Sequence, residues 1–395
     1  MKRRILIFGV WMLAIGALMF SPYLVWQVGS RPTLKLRVLD KTVPFDDYKE
    51  HASLFWALNF FRYPPPPGHD RWDLANAYVG YYPEIRDADG VALPPPFPET
   101  GENPWRLLQH QDLEDTDVLY VADTYGVYEL DLRRIPEERA HLTRNQVVFG
   151  GMTHEETDVV DAFRNKGGVV IAEFNTFGQP TRQDVVDRWE DILNLDWTGW
   201  IGRYIEDFAN MNDIPNWIPY LWELQTGEKW RFSGPGVVFV HTSERILILE
   251  EGKDVQEVPV LLKTHREDDP LTVGCTPEIP YYYWFDVVIP REHTVEHAEF
   301  EMQLYPRGVV QMRAEGIPTR FSAILSHEND APTYYFAGDF ADNAVMFGPY
   351  QFAFYDTYRR KFPTYQIYKS NEWFYWEFYL PLLENVLPRI EAYLR

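Results

Sequence analysis

Apolar runs in this sequence end repeatedly in groups that can do acid–base or ligand chemistry. Val169-Val170-Ile171-Ala172 is followed by Glu173, with Asn175 and Thr176 just beyond. Leu34 to Leu39 alternates as a strand and ends at Asp40-Lys41. Val118 to Ala122 runs into Asp123, Thr124 and Tyr125. The stretch Phe321–Asn343 reads as two strands whose second ends at Asp339, followed by Asp342 and Asn343. A fifth run, Val147–Thr153, ends in Gly150, Gly151 and Thr153. In doubly wound sheets ligands sit beyond the carboxyl ends of the strands. Carboxylates gathered there could hold a cation or supply a general acid and a general base. Glu173 and Asp123 are therefore the candidate catalytic groups. Asp40, Thr124, Asn175, Thr176, Asp339 and Asn343 are candidate ligand-binding residues. Carboxylates so gathered repel one another, so at least one should be raised in pKa unless a cation or Arg203 neutralises them. The competing reading is local: Asp, Asn and Thr cap helices and satisfy loop backbone.

A second group lies in LDWTGWIGRYIEDF, Leu195–Phe208. Trp200 could present an aromatic face and Arg203 could bind an anion. The structural alternative is a loop packed over the sheet, with Arg203 paired to an acid. YYYWFD (Tyr281–Asp286) offers a stacking platform for a sugar or a sheet face of alternating aromatics. HTVEH (His293–His297) matches a metalloprotease pattern that needs a helix, but its neighbours read as strands, so a polar connection is expected. No metal set and no cofactor is expected. The sequence has no P-loop, no complete dinucleotide fingerprint and no Gly-x-Ser-x-Gly elbow. Its one cysteine, Cys275, allows neither an internal disulfide nor a Cys cluster.

The elements that must position these groups alternate. A helix is expected from Asp46 to Phe61. Thr153 with Glu156 forms a capping box opening another, which stops at Gly167-Gly168. A third opens near Thr181–Asp184. Strands alternating with helices imply a mainly parallel, flavodoxin-like α/β sheet with helices on both faces. From Trp230 the texture becomes β-rich, and EWFYWEFYLPLLENVLPRIEAYLR closes the chain as an aromatic helix. The expected organisation is a cytoplasmic tip at 1–4, an anchor at 5–26, a linker at 27–32, an α/β domain at 33–229, a β-rich insertion at 230–320, and return strands with the aromatic helix at 321–395.

Ile5 to Trp26 carries no charge and follows Lys2-Arg3-Arg4. About 20 such residues span a bilayer, and flanking positive charge favours a cytoplasmic N-terminus. An uncleaved single-pass signal anchor at the cell membrane is expected, with the main domain extracytoplasmic; a cleaved signal peptide is the alternative. The net charge of −22 disfavours nucleic acid as a partner.

The stretch from Gly150 to Trp197 resembles the class I glutamine amidotransferase-like superfamily, and more narrowly its membrane-associated and ThuA-like branches. The motif is a threonine with two acids, a helix, Gly-Gly and an apolar strand. YYFAGDFADN resembles that group's closing strand. The likeness covers roughly residues 33–205 and 321–350. The whole chain is also similar to a set of membrane-anchored bacterial proteins through DKTVP, ADTYGVY, AEFNTF, WTGWIGRY, PYYYWFD and FAGDFADN; this implies architecture and no activity. True amidotransferases carry a Cys on a sharp turn after a strand, with His and Glu partners. Cys275 follows no sheet strand, so glutamine hydrolysis is not expected. The leading expectation is a domain that binds an envelope ligand, a carbohydrate, at the strand edge. The alternatives are a carboxylate-dependent hydrolase of envelope glycan and a structural subunit that meets a membrane-protein partner through its aromatic C-terminal region.

Overall fold

Runs that are apolar on both faces become interior strands. Every residue of Val118–Asp123 and of Val169–Glu173 is buried, as strands covered by layers on either side must be. The computed structural model describes residues 2–84, 103–132, 146–211, 213–215, 217–328, 331–342, 351–362 and 371–395, with the side chains at 2–10, 13–15 and 371 left aside. Asn343 and the Leu93–Glu99 loop lie outside the described residues.

The chain begins with α1 (Lys2–Val28), β1 (Leu36–Asp40), α2 (Lys49–Phe61), β2 (Val79–Gly80), β3 (Val118–Asp123), β4 (Val127–Tyr128) and β5 (Val147–Phe149). Then come α3 (His154–Arg164), β6 (Val169–Glu173), α4 (Gln183–Leu193), β7 (Leu195–Ile205), α5 (Trp217–Thr226), β8 (Gly236–His241) and β9 (Ile246–Glu250). It continues through β10 (Val255–Thr264), β11 (Glu278–Pro280), β12 (Trp284–Pro290), β13 (Val295–Leu304), α6 (Pro306–Ala314), β14 (Arg320–His327) and β15 (Thr333–Phe336). It ends with α7 (Tyr355–Lys361), α8 (Asn371–Phe374), a π-helical turn at Tyr375–Tyr379 and α9 (Leu380–Leu394).

The molecule is mixed α/β with a large parallel sheet at its centre. Nine strands lie in the order β11-β10-β13-β14-β15-β6-β3-β1-β2. From β15 to β2 every pair is parallel. Taken in chain order these five strands lie 2-1-3-4-5, the flavodoxin-like order. From β11 to β15 every pair is antiparallel. The expected parallel, flavodoxin-like part is thus extended on one side by antiparallel strands. The expected β-rich insertion is not a separate body, because β10, β11 and β13 extend the same sheet. A second, antiparallel sheet runs β12-β7-β8-β9, so its strands come from both sides of the boundary expected at 229/230. Leu195–Phe208 is therefore not a loop over the sheet, since most of it is strand β7. Val147–Phe149 pairs only with β4, so Gly150 and Gly151 do not end a strand of the large sheet.

The expected caps form. Thr153 accepts from Glu156 N–H while the Glu156 side chain accepts from Thr153 N–H. The C-terminal helix buries Tyr375, Trp376, Phe378, Tyr379, Leu382, Leu383 and Val386 in the chain's own core, so these side chains form no free contact surface. The expected anchor falls within the 27 residues of α1. Among the described residues no helix is long and apolar enough to cross a membrane.

Candidate functional site: a buried carboxylate cluster at the strand edge

The carboxyl ends of β1, β3 and β6 bring Asp40, Asp123 and Glu173 to one edge of the large sheet. The turn after β15 adds Asp339, whose N–H donates to Trp284 O at 3.0 Å. The first turn of α2 adds Glu50. All five are buried.

Each strand-end group from β1, β3 and β6 has local partners. Asp40 Oδ2 meets His51 Nδ1 at 2.6 Å, and His51 Nε2 meets Leu74 O at 2.9 Å. Both ring nitrogens thus have an oxygen partner, which fixes the ring between β1 and the Leu74 backbone. Gly80 lies so close to Asp40 that a Cβ there would fall 1.6 Å from Asp40 O, so only glycine lets β2 close against β1. Asp123 accepts from Thr42 Oγ1 at 2.7 Å, from Tyr125 N–H at 2.6 Å and from Asn175 Nδ2 at 3.4 Å. Burial nevertheless pushes its pKa up to about 7, with Asp40 adding to the rise. Thr124 Oγ1 donates to Asn175 O and Thr176 Oγ1 to Glu173 O, both at 2.8 Å, so the first ties the segment after β3 to that after β6 and the second closes a turn.

Glu173 is held by four donors. Oε1 accepts from Tyr120 Oη and, at 3.0 Å, from Tyr379 Oη. Oε2 accepts from Phe340 N–H at 3.0 Å and Ala341 N–H at 2.9 Å. Burial still raises its pKa to about 7 against the lowering effect of these bonds. The residue thus fastens β6, the turn after β15 and the C-terminal helix together. The π-helical turn belongs to this arrangement because Tyr379 is its last residue; such turns insert a residue and re-aim side chains. At pH 8, where the Glu173 carboxyl is largely ionised, Tyr379→Phe should cost about 1.5–3 kcal/mol, the worth of a bond to a charged acceptor. Urea unfolding of the variant measures it, and an unchanged midpoint would remove Glu173 from this fastening role.

The remaining carboxylates are less well matched. Single oxygens of Glu50, Asp123 and Asp339 all lie within 4.8 Å of one another, a set that could hold a metal ion. Asp339 is pushed well above its usual range by burial, then by Asp342, Glu50, Asp123 and Glu173. Glu50 is raised by burial and then by Asp342, with Lys49 opposing. Lys49 reaches both Glu50 and Asp342 at 3.2 Å.

The second group does not form a stacking platform. Trp200 is 3% exposed, under Arg245 and against His241, so its face is already covered. Among the described residues the Arg203 side chain makes no hydrogen bond or ion pair, contrary to the acid pairing expected of it. Its guanidinium lies over Trp284, 5.4 Å from the ring centroid, and Phe174 stacks on Trp284 at 6.0 Å. Cys275 is buried, its Sγ 3.5 Å from Phe378 O, and burial pushes its pKa to about 12. HTVEH forms a turn and the start of β13, so His293 and His297 share no helix face. His297 Nδ1 instead meets Asp269 Oδ2 at 2.9 Å and its Nε2 meets Ser326 Oγ at 2.8 Å. This has the connectivity of a hydrolase triad. Ser326 is only 2% exposed, however, and sits within a sheet strand, so the three residues tie the Asp269 loop to β13 and β14.

Sequence reasoning missed Glu50, Tyr120, Tyr379 and the pairing of Lys41 with Glu156. The signal for Glu50 was present: a helix that follows a strand starts at that strand's carboxyl edge.

No protein-family model and no curated protein matches the chain. Among solved structures it is similar to a Bacteroides uniformis protein described as ThuA-like, at 9% identity and TM-score 0.34, over 79% of this chain and 84% of that one. A Parabacteroides merdae protein with the same description shares 8% identity at TM-score 0.36, over 77% and 79%. A Salmonella typhimurium protein described as cytoplasmic shares 10% at TM-score 0.38, over 90% and 98%. Likeness at this level says nothing of activity, and the site rests on its own geometry.

Proposed function

We propose that this chain is a membrane-anchored, extracytoplasmic domain of the amidotransferase-like, ThuA-like class, without amidotransferase activity, that binds an envelope carbohydrate at the carboxyl edge of its parallel strands. The carrying observation is the cluster of Glu50, Asp123 and Asp339 within 4.8 Å, at an edge that also holds Asn175. Carboxylates and amides are the groups that bond sugar hydroxyls in pairs. Arg203, free of ion pairs, supplies a cation for an acidic sugar. The state of Cys275 supports the absence of thiol chemistry, because a nucleophilic thiol needs a lowered pKa. The test is a glycan array probed with the full chain in nanodiscs. Specific capture should be lost in Asp339→Asn and weakened for acidic glycans in Arg203→Ala. Capture by no glycan, or capture untouched by Asp339→Asn, rejects the reading.

A carboxylate-dependent glycan hydrolase is the second reading, favoured by one observation. Asp123, with a pKa of about 7, would be protonated in part at neutral pH beside Asp339, as a general acid must be. Release of reducing ends, abolished by Asp123→Asn, would decide for it. The subunit reading would rest on what the C-terminal helix leaves exposed, Tyr393 and Leu394.

The anchor reading is supported by the sequence: Ile5–Trp26 carries no charge and follows Lys2-Arg3-Arg4, and about 20 such residues span a bilayer. Protease added to intact spheroplasts should digest the chain beyond Gln27 and spare the first residues. Protection of the region after Trp230 would reverse the orientation.

A further inference from the structure

Three buried carboxylates meet where the flavodoxin-like strand order reverses, between β1 and β3. This is the switch point at which such sheets take their ligands. Glu50 comes from α2, Asp123 from the end of β3, and Asp339 from the turn after β15. Other charges face the cluster. Asp342 and Lys49 flank Glu50, Asp40 acts on Glu50 and Asp123, and Glu173 acts on Asp339. Lys49 is the cation among them, and it already bridges Glu50 and Asp342. Among the described residues this one cation faces Glu50, Asp342 and Asp339 together, so it leaves most of the negative charge of the cluster uncompensated.

A second observation points the same way. Tyr283 is half-buried, but its hydroxyl oxygen is shut off from solvent and makes no hydrogen bond among the described residues. The bond from Asp339 N–H to Trp284 O brings the backbone next to Tyr283 against the Asp339 turn. Asp342 and Asp339 are the charges that most influence Tyr283. A buried hydroxyl without a partner costs free energy. Beside carboxylates it could donate to one or lend its oxygen to a cation.

We infer that Glu50, Asp123 and Asp339, with the Tyr283 hydroxyl at their side, form a binding site for a hard divalent cation of the Ca2+ or Mg2+ class. All the donors are oxygens, which such cations prefer over nitrogen and sulfur. A double positive charge would also offset the mutual repulsion of the three gathered carboxylates. The inference deepens the reading of this edge as a ligand site. A cation there could contact sugar hydroxyls directly.

The test uses the full chain in nanodiscs, stripped with chelator, with no glycan present. Melting temperature should rise and saturate with Ca2+ or Mg2+, while K+ at matched ionic strength has no such effect. Asp339→Asn should abolish the rise. It should not lower the melting point in chelator, because it removes a repelled charge. In parallel, Tb3+ should give luminescence sensitised by nearby tyrosine, displaced by Ca2+. That readout decides the matter on the native chain if the variant fails to fold. A divalent rise that K+ matches, a rise that persists in Asp339→Asn, or no displaceable Tb3+ signal overturns the site. Glycan capture is scored separately, in chelator and in Ca2+. Capture in chelator with no cation effect keeps the carbohydrate reading and rejects this one. Cation binding without capture does the reverse.

Discussion

Lys41→Met should destabilise the protein by about 3–5 kcal/mol, the usual consequence of leaving one partner of a buried ion pair alone. The side chains of Lys41 and Glu156 are both fully buried. Lys41 Nζ donates to Glu156 Oε2 at 2.5 Å and to Gly151 O at 2.6 Å. Burial opposes the charge on Lys41, while Glu156 supports it. Glu156 also accepts from Thr153 N–H and Leu108 N–H, both at 3.1 Å. Two N–H groups would remain to Glu156 in the variant, with no positive charge. Adding Glu156→Gln should recover much of the loss, because a neutral amide needs no counter-ion and its carbonyl can still accept from Thr153 N–H. Urea unfolding of the two single variants and the double variant forms the cycle. A single-variant loss below about 1 kcal/mol, or a double variant worse than both singles, would show that the pair is not closed from water.

Stability should fall as pH rises from about 4 to about 7, the reverse of the common acid-denaturation profile. Burial raises Glu173, Asp286 and Asp123 each to about 7, from ordinary values near 4. A carboxyl raised in the folded state binds its proton more tightly there than in the unfolded chain. Its stabilising contribution is complete below the unfolded value and is lost as pH climbs through the folded one. Each displacement corresponds to roughly 3–4 kcal/mol. Glu173→Gln, which cannot ionise, should flatten part of the profile, and its standing relative to the native chain should improve steadily up to pH 8. Thermal melts from pH 4.5 to 8 make the comparison. A melting point that climbs across that window would contradict these raised values.

Much of the fold was legible in particular residues. The all-apolar runs Val118–Ala122 and Val169–Ala172 could only be covered strands, and both are. The Thr153 and Glu156 cap was visible because its chemistry is local. What the sequence concealed depends on long-range pairing. β10, β13 and β14 alternate like any antiparallel strands. Their union with the parallel strands is decided by β15, which pairs one way on each edge. β7 was obscured by Gly199 and Gly202, which punctuate it as a loop would be punctuated. At the site, strand-end carboxylates were readable from pattern. Glu50 was not, because it stands on a helix. The Glu173 partners Tyr120 and Tyr379, 259 positions apart, carry no mutual signal in a single sequence.

The position of β15 has a consequence for the order in which the chain can fold. β6 ends at Glu173 and its neighbour β15 begins at Thr333. At the usual rate of synthesis, about 5–20 residues per second, the intervening stretch takes roughly 8–30 s to make. Throughout that interval the strands β1, β3 and β6 can assemble, yet one edge of β6 has nothing to pair with. An unpaired apolar strand edge recruits other chains. Glu173 sits at the end of that edge, and the donors that later enclose it, Phe340, Ala341 and Tyr379, have not yet been made. Until they arrive it is hydrated and charged, and a charge on an open edge discourages association. The same carboxyl that joins the finished sheet to its last helix therefore guards the unfinished one.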